Sequence, residues 1–392
     1  MRDRSPANRF GEMETRQLSF EGDAGWTEAG ASAPTLAGSQ LVLVFGDRDR
    51  LESARVLAPL RKLFPDARIV SCSTGGEIFG DRVLEASVTA TALYFEDSHI
   101  VAVERELRKG DESACVGEAL ARSLPAPGLR HVLVFSEGLH VNGTALAAGL
   151  ARVLPAGVSV TGGLAGDGEG FQRTVVGLDG EPAQGKVVAV GLYGDRLVIG
   201  MGSLGGWEEF GAELLITRSE GNILYELDGK PALDVYKRLI GAHAYGLPAT
   251  GLLYPLRVRA AAGNGGVVRT LLSVDEATGS LVFAGDLPEG RIVRLMRANL
   301  EQLIAAAGAA ASRTLHDSGA AKPDFALLVS CIGRKLLLQQ RAKEEVMSVR
   351  RVLGSKTALA GFYSYGELSP VTAAVKCELH NQTMTITTIS EN

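Results

Sequence analysis

Short apolar runs alternate with amphipathic stretches along this chain, and their order repeats. Residues 41–45 form an apolar run of strand composition, and Val56, Leu57, Leu60 and Phe64 follow at helical spacing. Pro59 falls inside that stretch and predicts a kink or a shortened helix. A second strand is predicted at 67–70. It runs into a glycine-rich turn that ends at Glu77, and a strand at 86–95 closes the unit. From His131 the same order returns: a strand at 132–135, Asn142 as helix N-cap, and Leu146, Leu150, Val153 and Leu154 at helical spacing. A strand at 158–160, a turn from Thr161 to Asp167 and a closing strand at 186–193 complete it. Phe45 to Glu77 and Phe135 to Asp167 are both 32 positions. A third copy has a strand at 325–329, a helix with Ala342, Val346, Val349 and Leu353, and a strand at 358–360. Its turn runs from Gly361 to Glu367, with strand material at 371–377 and 384–389 beyond.

Each unit reads strand, helix, strand, acidic turn, strand. The first crossover predicts a parallel pair within a mixed sheet. The expected fold class is therefore α/β (α+β), a two-lobed protein with repeated units on mixed sheets. Residues 1–34, rich in Gly, Ala, Ser and charge, are expected to form a loosely ordered leader, from which only Trp26 should dock. Residues 216–320 differ in character, with a turn at 227–231 and an Ala-rich helix around 297–311. The expected domains are 35–215 and 216–392.

Composition removes several functions. With 392 residues, 46% of them hydrophobic and 22% charged, the chain is globular and long enough for two or three cores. A formal net charge of −5 provides no basic footprint, so neither nucleic acid nor a membrane surface is an expected partner. The four cysteines stand apart without a CxxC pair, which argues against a disulfide framework. The first residues lack the apolar core of a signal peptide, and no apolar run reaches the roughly 20 residues of a membrane span. A cytoplasmic protein is expected.

The turns carry the candidate chemistry. Glycines at strand ends let a ligand approach the backbone, and Glu77, Asp167 and Glu367, with Tyr365 in the third turn, can hold a cation, an amine or a neighbouring amide. Gly200, Gly202 and Gly205 match GxGxxG spacing after a strand, but no amphipathic helix follows to hold a pyrophosphate. Gly180, Gly185 and Lys186 fail as a P-loop because Val187 stands where a hydroxyl is needed. Cys72 and Ser73 sit at a strand-to-glycine turn where a nucleophile can be exposed, although no histidine is near in sequence. No two of the six histidines have metal-ligand spacing. His99 and His316 read as solvated, His131 as a surface residue opening a strand, and His243 as a loop residue. His140 lies in a strand-to-helix loop, and His380 between the last strands.

The turn segments 71–78 and 160–167, with 225–231, 361–370 and 379–383, resemble in order the motifs of the FIST family of bacterial sensor domains. The resemblance spans about residues 35–392. It implies a module that senses a small ligand and signals through a partner, in trans since no kinase, cyclase or chemoreceptor segment is recognisable. A stand-alone chain of this length is similar to the nitric-oxide-sensing haem proteins of that family. That similarity implies haem b bound through a histidine, and a histidine kinase as partner. His380 is the first candidate ligand, because it lies in a family motif, and His140 the second. Two alternatives stay open: an organic metabolite such as an amino acid held by the acidic turns, and an enzyme using Cys72 or Ser73. Homo-oligomerisation is also left open.

Overall fold

The computed structural model describes residues 13–28, 38–108, 112–260, 266–319, 322–370 and 376–392. The repeated unit is present three times. Leu41–Gly46 pairs in parallel with Arg68–Ser73, Leu129–Ser136 with Ser159–Leu164, and Phe325–Cys331 with Ala358–Ser364. Helices Ala54–Leu63, Gly143–Val153 and Ala342–Leu353 make the crossovers. Pro59 is carried inside the first of these. Asn142 caps the second, its side-chain oxygen accepting from Ala145 N at 2.9 Å. Closing strands Val88–Tyr94, Lys186–Tyr193 and Met384–Glu391 lie antiparallel against the first strand of each unit. The protein is mixed α+β, as its periodicities require.

After each turn the chain leaves its own sheet. Glu77–Phe79 of unit one pairs with Ala358–Ser364 of unit three, Gly366–Ser369 of unit three with Ser159–Leu164 of unit two, and Val176–Leu178 of unit two with Arg68–Ser73 of unit one. The exchange is cyclic, so the three six-stranded sheets close on one another. The outer edges exchange too. His99–Glu106 pairs with the closing strand of unit two, and Leu197–Leu204 with that of unit three. The matching place in unit one is taken by Glu14–Phe20.

Part of the expected leader is therefore built into a sheet. Trp26 does dock: its indole N–H donates to Val56 O at 2.9 Å, and its ring meets Phe20 edge-on. The rest of that segment, 1–12 and 29–34, lies outside the described residues.

A pseudo-threefold axis runs through this arrangement. Phe45, Phe135 and Phe362, one from each unit, form a ring triangle with centroids 5.8, 4.8 and 6.3 Å apart. At the carboxyl ends of the strands, equivalent amides bridge the units. Gly75 N donates to Tyr363 O at 2.8 Å, Tyr365 N to Leu164 O at 3.1 Å, and Gly166 N to Ser73 O at 3.0 Å.

The second lobe is an eight-stranded antiparallel sheet inserted between Leu197–Leu204 and helix Leu300–Ser318. The expected boundary at 215/216 falls inside its long strand Glu208–Glu220. The last strands of the chain belong to the first lobe. The predicted turn at 227–231 is a tight hairpin with Asp228 and Gly229 at φ 50 and 72°. The Ala-rich helix begins later than expected, capped by Asn299, and lies against Leu197–Leu204. A Cβ on Gly200 would sit 2.2 Å from Thr314 O, and one on Gly202 2.1 Å from Ala310 O. The first two glycines of the pattern at 200–205 thus serve close approach of helix to strand.

Candidate functional site

The turn acids are not three copies of one residue. Glu77 lies opposite Phe362, and Glu367 opposite Gly163, at matching points of units three and two. Val176 holds that place opposite Cys72 of unit one. Asp167, matched to Glu77 by equal spacing, is one residue out of register, because Phe135 faces Gly163 whereas Phe45 faces Cys72 with one residue more before the acid. The equal spacing is therefore a coincidence of non-equivalent acids.

Glu77 and Glu367 are buried and bonded alike. Each accepts from the hydroxyl three residues earlier, Thr74 at 2.5 Å or Ser364 at 2.8 Å. Each also accepts from the hydroxyl that precedes its unit's closing strand, Ser87 or Thr383. Burial pushes Glu77 up to about 7 and Glu367 up to about 8, against the pull of those hydroxyl donors. Both carboxyls act as latches for the exchanged strands. A hydroxyl three residues before the acid was the legible signal for this role.

Asp167 instead organises a loop peculiar to unit two. It accepts from Gln172 N at 2.9 Å, Arg173 N at 2.8 Å and the Tyr365 hydroxyl. Burial alone would raise its pKa, but these bonds outweigh it and hold the carboxylate below its usual range. Tyr365 stacks on Phe171 at 4.4 Å.

Three recesses surround these groups. A hollow of about 690 Å³ at the strand ends is lined by Asp47, Glu77, Glu85, Asp167, Glu169 and Lys335, among others. The Lys335 ammonium donates to Gly75 O at 2.7 Å and pairs with Glu85 at 2.8 Å. A recess of about 260 Å³ lies beside His140, Phe171 and Tyr365. His140 is largely exposed there, its backbone and ring both bonded to the buried Glu137.

The largest of these three recesses, about 820 Å³, is a cleft between the lobes. Met201, Trp207, Arg257, Met296, Arg313 and His380 are among its lining residues, and no carboxylate lines it among the described residues. Arg257 is paired with Glu209, whereas Arg313 has no hydrogen bond or ion pair among the described residues. His380 is 8% exposed, and its Nε2 lies 3.1 Å from Ser369 O. A carbonyl only accepts, so Nε2 carries the proton and Nδ1 the lone pair. Burial, aided by the charge of Arg269, pulls His380 down to about 4 although the Ser369 bond works the other way. The imidazole is neutral at pH 7. The two arginines of this cleft lay in segments without any sequence motif. Their convergence required the fold.

Other candidates are placed differently. His131 is fully buried between the hydroxyls of Ser159 and Thr161, both at 2.8 Å, and not at the surface. Burial drives it down to about 3. Cys72 is fully buried and its thiol is pushed up by that burial, while the Ser73 hydroxyl accepts from Val175 N. Neither has the exposure or activation a nucleophile needs. Among the described residues no group of three or more His, Cys, Asp or Glu is placed to hold a metal ion. No described helix is long and apolar enough to cross a membrane.

A repeat-built α+β body with a ligand-sized cleft at a lobe junction defines a small-molecule-binding class of protein. The FIST N domain model matches residues 40–230 and the FIST C domain model residues 232–370. The two together cover most of the chain, which belongs to the FIST-domain family, whose domains are small-ligand sensory modules. The chain is also 25% identical over 329 residues to Uncharacterized protein MJ1623 of Methanocaldococcus jannaschii. That match covers 76% of this chain and 60% of the relative, so the chain spans under two thirds of that protein's length.

Proposed function

We propose that the chain is a cytoplasmic sensor acting in trans on a histidine kinase, and that the inter-lobe cleft binds haem through His380 to detect nitric oxide. The observation that supports this is a neutral, buried histidine on the wall of the inter-lobe cleft, with one ring nitrogen committed to a carbonyl. A metal-ligating histidine is held in this way, its second N–H donated to a backbone oxygen. The cleft lies in the volume range of cofactor sites, and Arg313 offers positive charge to carboxylate groups. The recess beside His140 falls below that range. When bound, haem supplies an iron that can keep an open position for a diatomic gas.

The chain's own part is to hold His380 in one tautomer and to pass on its displacement. Arg269 of the second lobe, fully buried, donates to Leu379 O at 2.9 Å, so movement of the strand Glu378–His380 is felt across the lobe junction. Such coupling can bias a two-state equilibrium only as far as the two states differ in ligand affinity. Protein reconstituted with ferric haem should show a Soret band that shifts with nitric oxide, disappears or moves in His380→Ala, and stays in His140→Ala. A band unaffected by His380→Ala, or no band at all, overturns the assignment.

A second reading rests on the acid-lined hollow at the strand ends, which suits an organic amine such as an amino acid. Thermal stabilisation by amino acids that is lost in Asp167→Ala would support it.

A further inference from the structure

The turn behind the cleft wall holds two polar side chains whose amides bond to none of the described residues. Asn381 and Gln382 are both 0% exposed, and among the described residues neither the nitrogen nor the oxygen of either amide has a partner. Burying such groups unpaired is strongly disfavoured. Gln382 also sits at φ 64°, a left-handed conformation that residues other than glycine rarely adopt. Its amide is pressed against Gly333, where an added Cβ would come within 2.6 Å of Nε2. The neighbours on either side, His380 and Thr383, both line the cleft. The turn is held by its own carbonyl: Gln382 O accepts from the Trp207 indole at 2.9 Å and from Arg334 at 3.4 Å. Trp207 is itself part of the cleft wall.

We propose that Asn381 and Gln382 are ligand-reading residues of the inter-lobe cleft. The turn has a second conformation, with Gln382 at negative φ, that delivers the two amides to a ligand bearing an anionic group for Arg313 and a hydrogen-bonding edge for the amides. This rests on the cleft being the sensing site. The strain of the resting turn is then relieved when the ligand satisfies the amides, which is the differential interaction that a sensor needs. Leaving the left-handed conformation also moves the Gln382 carbonyl, so the Trp207 indole loses its acceptor and Arg334 one of its several acceptors. The ligand thereby alters the wall it touches.

The test uses opposed substitutions at one position and the two tryptophans of the chain. In a Trp26→Phe background, emission reports Trp207 alone. Gln382→Gly favours positive φ and should leave the emission as in the parent. Gln382→Val disfavours it and should shift the emission to the red and increase quenching by acrylamide. Asn381→Leu, of similar shape without polar atoms, should keep or raise Tm, because no resting hydrogen bond is lost. It should weaken ferric haem binding by about tenfold, the worth of one net hydrogen bond.

Identical emission from the Gly and Val variants overturns the proposal. So does a clear fall in Tm on Asn381→Leu, which would mean that the amide is bonded at rest, through internal water for instance. If the parent protein shows no Soret band, the haem assignment alone fails. The emission and melting measurements need no ligand and still decide the turn.

Discussion

A carboxyl group buried among hydroxyls keeps its proton to a higher pH than one in water, and Glu77 and Glu367 are two instances in equivalent places. Their folded values, about 7 and about 8, lie above the ordinary 4.5. Each therefore stabilises the fold fully below pH 4.5 and loses that contribution as pH rises through 7 to 8. His131 and His380 act in the opposite sense. Their folded values, about 3 and about 4, lie below 6.5, so their contribution is full above 6.5 and disappears as pH falls through 4 and 3. Thermal melts should thus give a maximum Tm between these windows, falling from pH 6.5 to 8. Glu367→Gln should flatten that fall, and an unchanged slope would contradict the latch. At this scale the sequence was a partial guide. A hydroxyl three residues before each latch acid was visible, but Asp167 passed for their equal. His131 passed for a surface residue because it opens a predicted strand, while the hydroxyls that bury it come from the adjacent parallel strand.

Elements that make their own hydrophobic face were legible, and elements that borrow one were not. The three parallel pairs and their crossover helices announce themselves by period, since each buries a face long enough to show a pattern. The exchanged strands Glu77–Phe79, Val176–Leu178 and Gly366–Ser369 have three or four residues, too few for a period, and nothing in them names the sheet they join. Glycine positions mark where the two strands of a parallel pair crowd. A Cβ on Gly162 would lie 1.9 Å from Val134 O, and one on Gly361 1.8 Å from Leu328 O, at equivalent points of units two and three. Gly162 is also at φ 144°. Gly162→Ala and Gly361→Ala should each cost about 1–3 kcal/mol through forced backbone shifts, seen as a Tm lowered by several degrees. In unit one Ser71 already fills the matching place, so Ser71→Ala should have a much smaller effect.

At the scale of the molecule, the pseudo-threefold body is completed by a strand from the beginning of the chain. Glu14–Phe20 covers the edge strand Val88–Tyr94, which otherwise exposes its backbone groups. Removing residues 1–28 should lower Tm and promote association through that edge, measurable by thermal melts and size-exclusion chromatography. A monomer of unchanged Tm would show that the edge needs no cover. The inserted lobe then creates the cleft, because its Arg257 and Met296 meet Arg313, Trp207 and His380 only after the sheets have closed. By itself the sequence determined the α+β class, the three repeats, their crossover helices and the family motifs, since local periodicity and turn chemistry are properties of short segments. The cyclic exchange of strands, the burial that sets the protonation of Glu77, Glu367 and His380, and the meeting of distant arginines in one cleft were decided by tertiary structure. These depend on which surfaces exclude water together, and no segment carries that information alone.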